Sequence, residues 1–162
     1  MLNRIAAGWD PDRRDIDPTK IHYVLSRVWI YDFVPPRRFR CRLIGEEVAK
    51  LFSPNPKGRY VDEIFPDDYG RQVTDRFMTM VMRRQISHTI GDWLVSSGAC
   101  LRAERIAFPL GTDGSNVDTV FGASVYGAGL PLSSDPYSGE TIEVNFYDMP
   151  SSAPAVETVG AL

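Results

Sequence analysis

One short run constrains this chain more than any other. Over residues 37–44, Phe39, Cys41 and Leu43 alternate with Arg38, Arg40 and Arg42. Successive side chains of an extended strand point to opposite faces. The run therefore predicts a strand with one buried apolar face and one solvated arginine face. Just upstream, residues 27–33 are rich in β-branched and aromatic side chains and predict a second strand, which Val34-Pro35-Pro36 ends.

The rest of the chain supplies helices and then more strands. Residues 1–16 read as a polar, proline-containing arm. Asp17 caps and Pro18 opens a helix to about Ser26, with Ile21, Val24 and Leu25 on one side. Gly45 turns the chain into a short helix over 46–52, followed by a loop over 53–58 and a helical turn over 60–65. Asp67 or Asp68 opens a longer helix to about Arg84, with Tyr69, Val73, Phe77, Met80 and Val81 near one face. Three extended stretches follow at 86–93, 99–110 and 117–126, and Asp113-Gly114-Ser115-Asn116 is a hairpin signal between the last two. Strands on either side of a helical insert predict an α+β fold, an antiparallel sheet with its helices gathered on one face.

Composition narrows the class. At 162 residues the chain is one domain with a real core, and 43% hydrophobic with 24% charged residues excludes global disorder. Of the 21 acidic residues, five lie in 128–162, where there is no Lys or Arg. The other sixteen face all 18 basic residues, so the tail is −5 and the remainder +2. A nucleic-acid partner is not expected from that balance. No window supplies the roughly 20 apolar residues of a membrane span, and the start lacks the apolar run of a signal peptide. Cys41 and Cys100 sit in no CxxC or CxxCH motif, against zinc ribbons, thioredoxin-type chemistry and c-type haem. A soluble, reduced, cytoplasmic protein is expected. Its organisation reads as an arm over 1–15, a domain over 16–127 and an acidic tail over 128–162, with one strand-like piece at Thr141 to Met149.

The element order β-β-α-α-α-β-β-β resembles that of a PAS domain, and the residue pattern resembles the PAS_5-type single-domain proteins of alphaproteobacteria. The resemblance rests on Arg13-Arg14-Asp15-Ile16-Asp17-Pro18, Phe39-Arg40-Cys41-Arg42-Leu43-Ile44-Gly45, Gly58-Arg59-Tyr60-Val61-Asp62-Glu63-Ile64-Phe65, and Ala107-Phe108-Pro109-Leu110 with Asp113-Gly114, in that order over roughly 9–127. It implies a five-stranded antiparallel sheet, helices over one face, and a sensory module that acts through protein contacts. It also implies a cavity between sheet and helices that takes a ligand, and pairing as a homodimer through the N-terminal helix. A signalling protein is the expected partner, since no kinase, cyclase or DNA-binding segment follows.

The cofactors of that family can be tested against these residues. A flavin photosensor needs a cysteine cassette, and Phe65-Pro66-Asp67-Asp68 has none. A b-type haem sensor uses a His on the long helix, and none lies between Asp67 and Arg84. The candidate cavity lining is Tyr60, Phe77, Met80, Val81, His88 and Trp93, with Phe65 nearby; an aromatic and Met stripe of this kind also makes ordinary core. His88 without a second ligand fits a surface or hydrogen-bonded role better than a metal role, and His22 is expected in solvent. Cys41, on an apolar strand face, reads as inert, and Cys100 as similar. The arginine stripe reads as a solvated face rather than a phosphate site; an acidic tail folded over it is an alternative. Asp10, Asp12, Asp15 and Asp17 lack the Gly and Glu of a calcium loop, and helix capping explains them better.

A competing reading is a small α+β enzyme with a cone-like fold, an isomerase or dehydratase using His88 and Asp92. It needs an acid–base group inside an apolar pocket. Two strands ahead of the long helix favour the PAS reading. The tail strand at Thr141 to Met149 has its own expected role, addition to a sheet edge of this chain or of a partner.

Overall fold

The computed structural model describes residues 12–65, 67–94, 100–112, 116–127 and 143–149, with backbone only at 67, 92–94 and 100. Strands β1 (Val28–Val34) and β2 (Arg38–Ile44) pair antiparallel. Three helices follow, α1 (Glu46–Ala49), α2 (Val61–Ile64) and α3 (Asp67–Arg83). Then come β3 (Gln85–Leu94), β4 (Cys100–Gly111), β5 (Val117–Gly127) and β6 (Glu143–Asp148). The pairings between these six strands are all antiparallel, in the order β2-β1-β5-β4-β3-β6. The expected five strands are six, because the tail strand β6 adds to the β3 edge of the same chain.

The alternation on β2 holds at Phe39 and Cys41, both fully buried, and fails at Leu43, which is exposed. Pairing runs Ile30↔Leu43 and then Tyr31↔Cys41, so Arg42 is an extra residue on β2. This β-bulge reverses the facing of the residues beyond it. Leu43 turns outward and Ile44 packs on the core. The arginines of this strand, and Arg37 just before it, meet acids. Arg38 pairs with Asp62 at 2.8 Å and Glu63 at 3.1 Å, Arg42 with Asp32 at 3.0 Å, Arg40 with Asp32 at 3.8 Å, and Arg37 with Asp75. The described part of the tail lies at the opposite edge of the sheet and does not cover them.

The expected N-terminal helix is instead a turn followed by a short 3₁₀ helix, His22–Arg27, with no buried residue. The predicted cap is present: Asp17 Oδ1 accepts from the Thr19 amide at 2.9 Å and its hydroxyl at 2.7 Å. A segment this short does not propagate as an α-helix without packing to hold it. Its end is fixed against α1, where Ser26 and Arg27 donate to Glu47 at 2.8 and 2.7 Å. Gly45 permits that approach, since a Cβ there would come within 2.5 Å of the Ser26 carbonyl group. Farther upstream Asp12 and Asp15 cap one 3₁₀ turn reciprocally, and Arg13 ties it to Asp118 at 2.7 Å and to Thr119.

The helices cover one sheet face. Val73, Phe77 and Met80 of α3 are buried, while Tyr69 and Val81 are partly buried against the core. Phe77 is the centre of an aromatic cluster, with ring centroids 5.7 Å from Trp29, 5.4 Å from Tyr31 and 5.2 Å from Phe39. Burying a side chain of this size contributes about 1.5–3 kcal/mol. The helix ends where Arg84 takes a left-handed conformation (φ 55°) and the chain turns into β3.

Candidate functional site

A cavity lies between α3 and the helix-facing side of the sheet. Its walls are apolar and aromatic, chiefly Trp29, Tyr31, Phe65, Phe77 and Met80. Its polar groups are Arg76 from α3, Ser87 and Thr89 from β3, Arg105 from β4, and Ser124 and Tyr126 from β5. Small residues make the room. Register brings Ser87 opposite Ala107 and Ala107 opposite Gly122, so the centre of the sheet presents little bulk to the helix. The space leaves about 50 Å³ for the centres of water-sized spheres. One water needs about 10–15 Å³ by that measure, so the space suits a few waters or one small molecule.

Arg105 is 9% exposed and stands on the inward side of β4 between Ala103 and Ala107. Burial pulls its pKa below the ordinary arginine range, and the nearby Tyr69 and Tyr126 phenols oppose that shift. Arg76, also close, adds to the downward pull. Guanidinium pKa values start high enough that the group stays charged. Burial likewise raises the Tyr126 phenol, against the charge of Arg105. Trp29 is held in place by its indole N–H, which donates to Ser124 Oγ at 2.8 Å.

Of the residues predicted to line a cavity, the fold brings Phe77 and Met80 together there, and Phe65 with them. Tyr60, Val81 and His88 lie elsewhere. Tyr60 precedes α2, and its ring carries the Arg38 guanidinium 3.7 Å from the centroid. Val81 follows Met80 by one helical position, about 100° around the axis, and packs beside the cavity rather than on it. His88 alternates with Ser87 and Thr89 on β3, so it faces away from the helices. Its Nε2 lies 2.8 Å from Glu104 Oε1, with the ring 25% exposed. An acid–base role inside an apolar pocket is not open to it from that face. The side chains of Asp92, Trp93 and Cys100 lie outside the described residues.

Arg76 and Arg105 are absent from the residues that sequence reasoning singles out. An arginine between two alanines on a strand reads as a solvent residue, and only the pairing of β4 with β5 shows which face is inward. Cys41 is fully buried, its Sγ directed at the Leu43 carbonyl oxygen at 3.7 Å. Burial pushes its thiol up to about 11.

The opposite face of the sheet is uncovered among the described residues. Register aligns Leu43, Ile30, Phe121 and Phe108 in one row across four strands. Next to that row, Ile106 is 40% and Val125 52% exposed.

The family described as PAS domain matches residues 3–125. The chain belongs to the PAS domain family. The antiparallel sheet with helices on one face is this PAS domain's fold, carrying β6 as an added edge strand. Membership makes it a sensory module of the signalling type. A solved structure of a point variant of the protein RsLOV is similar to it at 10% identity and a TM-score of 0.49, over 74% of this chain and 73% of that one. No curated protein matches the chain. No helix among the described residues of this PAS domain is long and apolar enough to cross a membrane.

Proposed function

We propose that this PAS domain senses a small molecule in the cavity beneath α3 and signals to a partner protein at the outer sheet face. One observation carries the reading: β4 and β5 furnish both surfaces by turns. Arg105, Ala107, Ser124 and Tyr126 line the cavity, while Ile106 and Val125, their sequence neighbours, stand exposed on the other side. A change of packing in the cavity therefore moves the strands that form the docking face. Contiguous exposed apolar surface is what protein contacts use. A second copy of the chain is one such partner, and Tyr23, 73% exposed on the 22–27 segment, is an exposed aromatic outside the sheet.

The test is a double variant, Ile106→Glu with Val125→Lys, at two exposed positions, the lysine standing opposite Glu104 on β4. The wild-type protein and the variant are compared by affinity capture from the host and by sedimentation velocity. The expected result is an unchanged circular dichroism spectrum with loss of the captured partner or of the second copy. Equal capture and equal mass for both proteins would refute the docking face.

A further inference from the structure

We propose that the cavity takes a neutral short-chain alcohol of about the size of ethanol, its hydroxyl group held by Ser87 and Thr89 of β3 and its alkyl end against Phe77 and Met80 of α3. The inference rests on the sensor reading above and names the chemistry of the molecule sensed.

Hydrogen bonding is the first argument. Ser87 is 5% and Thr89 7% exposed, and both line the cavity. Two residues apart on one strand, they stand on the same face. Neither hydroxyl has a hydrogen-bond partner among the described residues. Buried hydroxyls are costly without partners, so they favour an occupant that both donates and accepts. The other polar groups of the lining are already engaged. The Trp29 indole donates to Ser124, and the Tyr126 phenol interacts with Ser124 and Arg105. Arg76 is partly exposed and lies over the Tyr69 ring, 5.9 Å from the centroid. The positions left open are two neutral hydroxyls, which match a neutral hydroxyl better than an ion.

Size is the second argument. About 50 Å³ is open to sphere centres. A cavity of about 150 Å³ takes benzene and its six heavy atoms, so a third of that volume holds roughly two or three. Ethanol reaches that limit and an aromatic ring exceeds it. The remaining walls set the rest of the ligand. Trp29, Phe77 and Met80 offer aromatic and thioether surface to an alkyl group. Water alone has no such group and leaves those walls unmatched.

The experiment labels the methionine methyl groups of the full chain with ¹³C and follows them by NMR. Met80 lines the cavity, and Met82, 73% exposed, reports the bulk effect of added solvent. Ethanol, the anion acetate, and the larger benzyl alcohol are titrated in turn. Ethanol should shift Met80 saturably in the millimolar range, the reach of a molecule with so few atoms, while Met82 does not saturate. Acetate and benzyl alcohol should each bind at least about tenfold more weakly, the one for its charge and the other for its size. Ser87→Ala and Thr89→Val, each checked by circular dichroism for the wild-type fold, should weaken ethanol by about three- to tenfold, the loss of one hydrogen bond. Ethanol binding unmoved by both variants overturns the hydroxyl assignment while leaving a ligand cavity in place. Acetate binding as tightly as ethanol overturns the neutral class, and benzyl alcohol binding as tightly overturns the size limit. No saturable Met80 shift with any of the three overturns the proposal and the cavity-sensor reading together, whereas the docking face is judged separately by the Ile106 and Val125 variant.

Discussion

Gly122→Ala is a sharp test of how the inner face of the sheet is built. In an ordinary strand this change is favourable by roughly 0.5–1 kcal/mol, because glycine gives up more backbone freedom on folding. Here an added Cβ would lie 2.7 Å from Cε2 of Trp29 and closer still to Cζ2 and Cη2. Carbon atoms pack best at about 3.5–4.0 Å, so the indole must retreat by roughly an ångström. It has little freedom to do so. Its N–H is bonded to Ser124 Oγ at 2.8 Å, and its ring stacks on Phe77 at 5.7 Å. Overpacking costs about 1–3 kcal/mol, and loss of the indole hydrogen bond about 0.5–1.5 kcal/mol more. Set against the backbone gain, the net is roughly 0.5–4 kcal/mol of destabilisation, a sizeable part of a typical 5–15 kcal/mol. Urea titration followed by far-ultraviolet circular dichroism measures it, with an unchanged slope as the check that only stability has moved. An alanine variant as stable as the wild type, or more stable, would show that Trp29 does not lie over Gly122 and would sink the account of the inner face.

Two further outcomes follow from the same structure. The Cys41 thiol is raised by burial from 9.0 to about 11, so the fold favours its protonated form. That stability is present below pH 9 and lost as pH rises from 9 through 11, up to about 2–3 kcal/mol. Denaturation curves at pH 8 and pH 11 should show a larger drop for the wild type than for Cys41→Ala, and equal drops would contradict the burial. Removing residues 128–162 takes β6 from the β3 edge, with its pairing from Gln85↔Asp148 to Ile90↔Glu143 and the packing of Phe146. Expected are a loss of roughly 2–4 kcal/mol and concentration-dependent association through the bared edge; an unchanged urea midpoint and elution volume would show that β6 is ornamental to the domain.

The sequence carried the order of elements well and the site poorly, and the two results have one cause. The long helix declares itself because Val73, Phe77 and Met80 recur at helical spacing, and β5 because the segment after the Asp113-Gly114 sequence signal is long and β-branched. Local pattern fails where a strand turns its less apolar side inward. On β4 the inward residues Ala103, Arg105 and Ala107 are small or charged, while Ile106 and Phe108 face away from the helices. On β3 the buried residues are Ser87, Thr89 and Gly91, and His88 and Ile90 face outward. Read by hydrophobicity alone, both strands come out inside-out. Which face is inward is decided by pairing across the sheet, Ala107 opposite Gly122 and Phe108 opposite Phe121, and that is long-range information. The Arg42 bulge is a second case, invisible until Ile30 and Tyr31 are seen to pair with Leu43 and Cys41. A cavity needs small and polar residues where a packed core would put large apolar ones, and a docking face needs apolar residues where a solvated sheet would put polar ones. The same inversion that defeats the pattern on β3 and β4 is what the proposed sensing requires of those strands, as expected when local rules yield at functional sites.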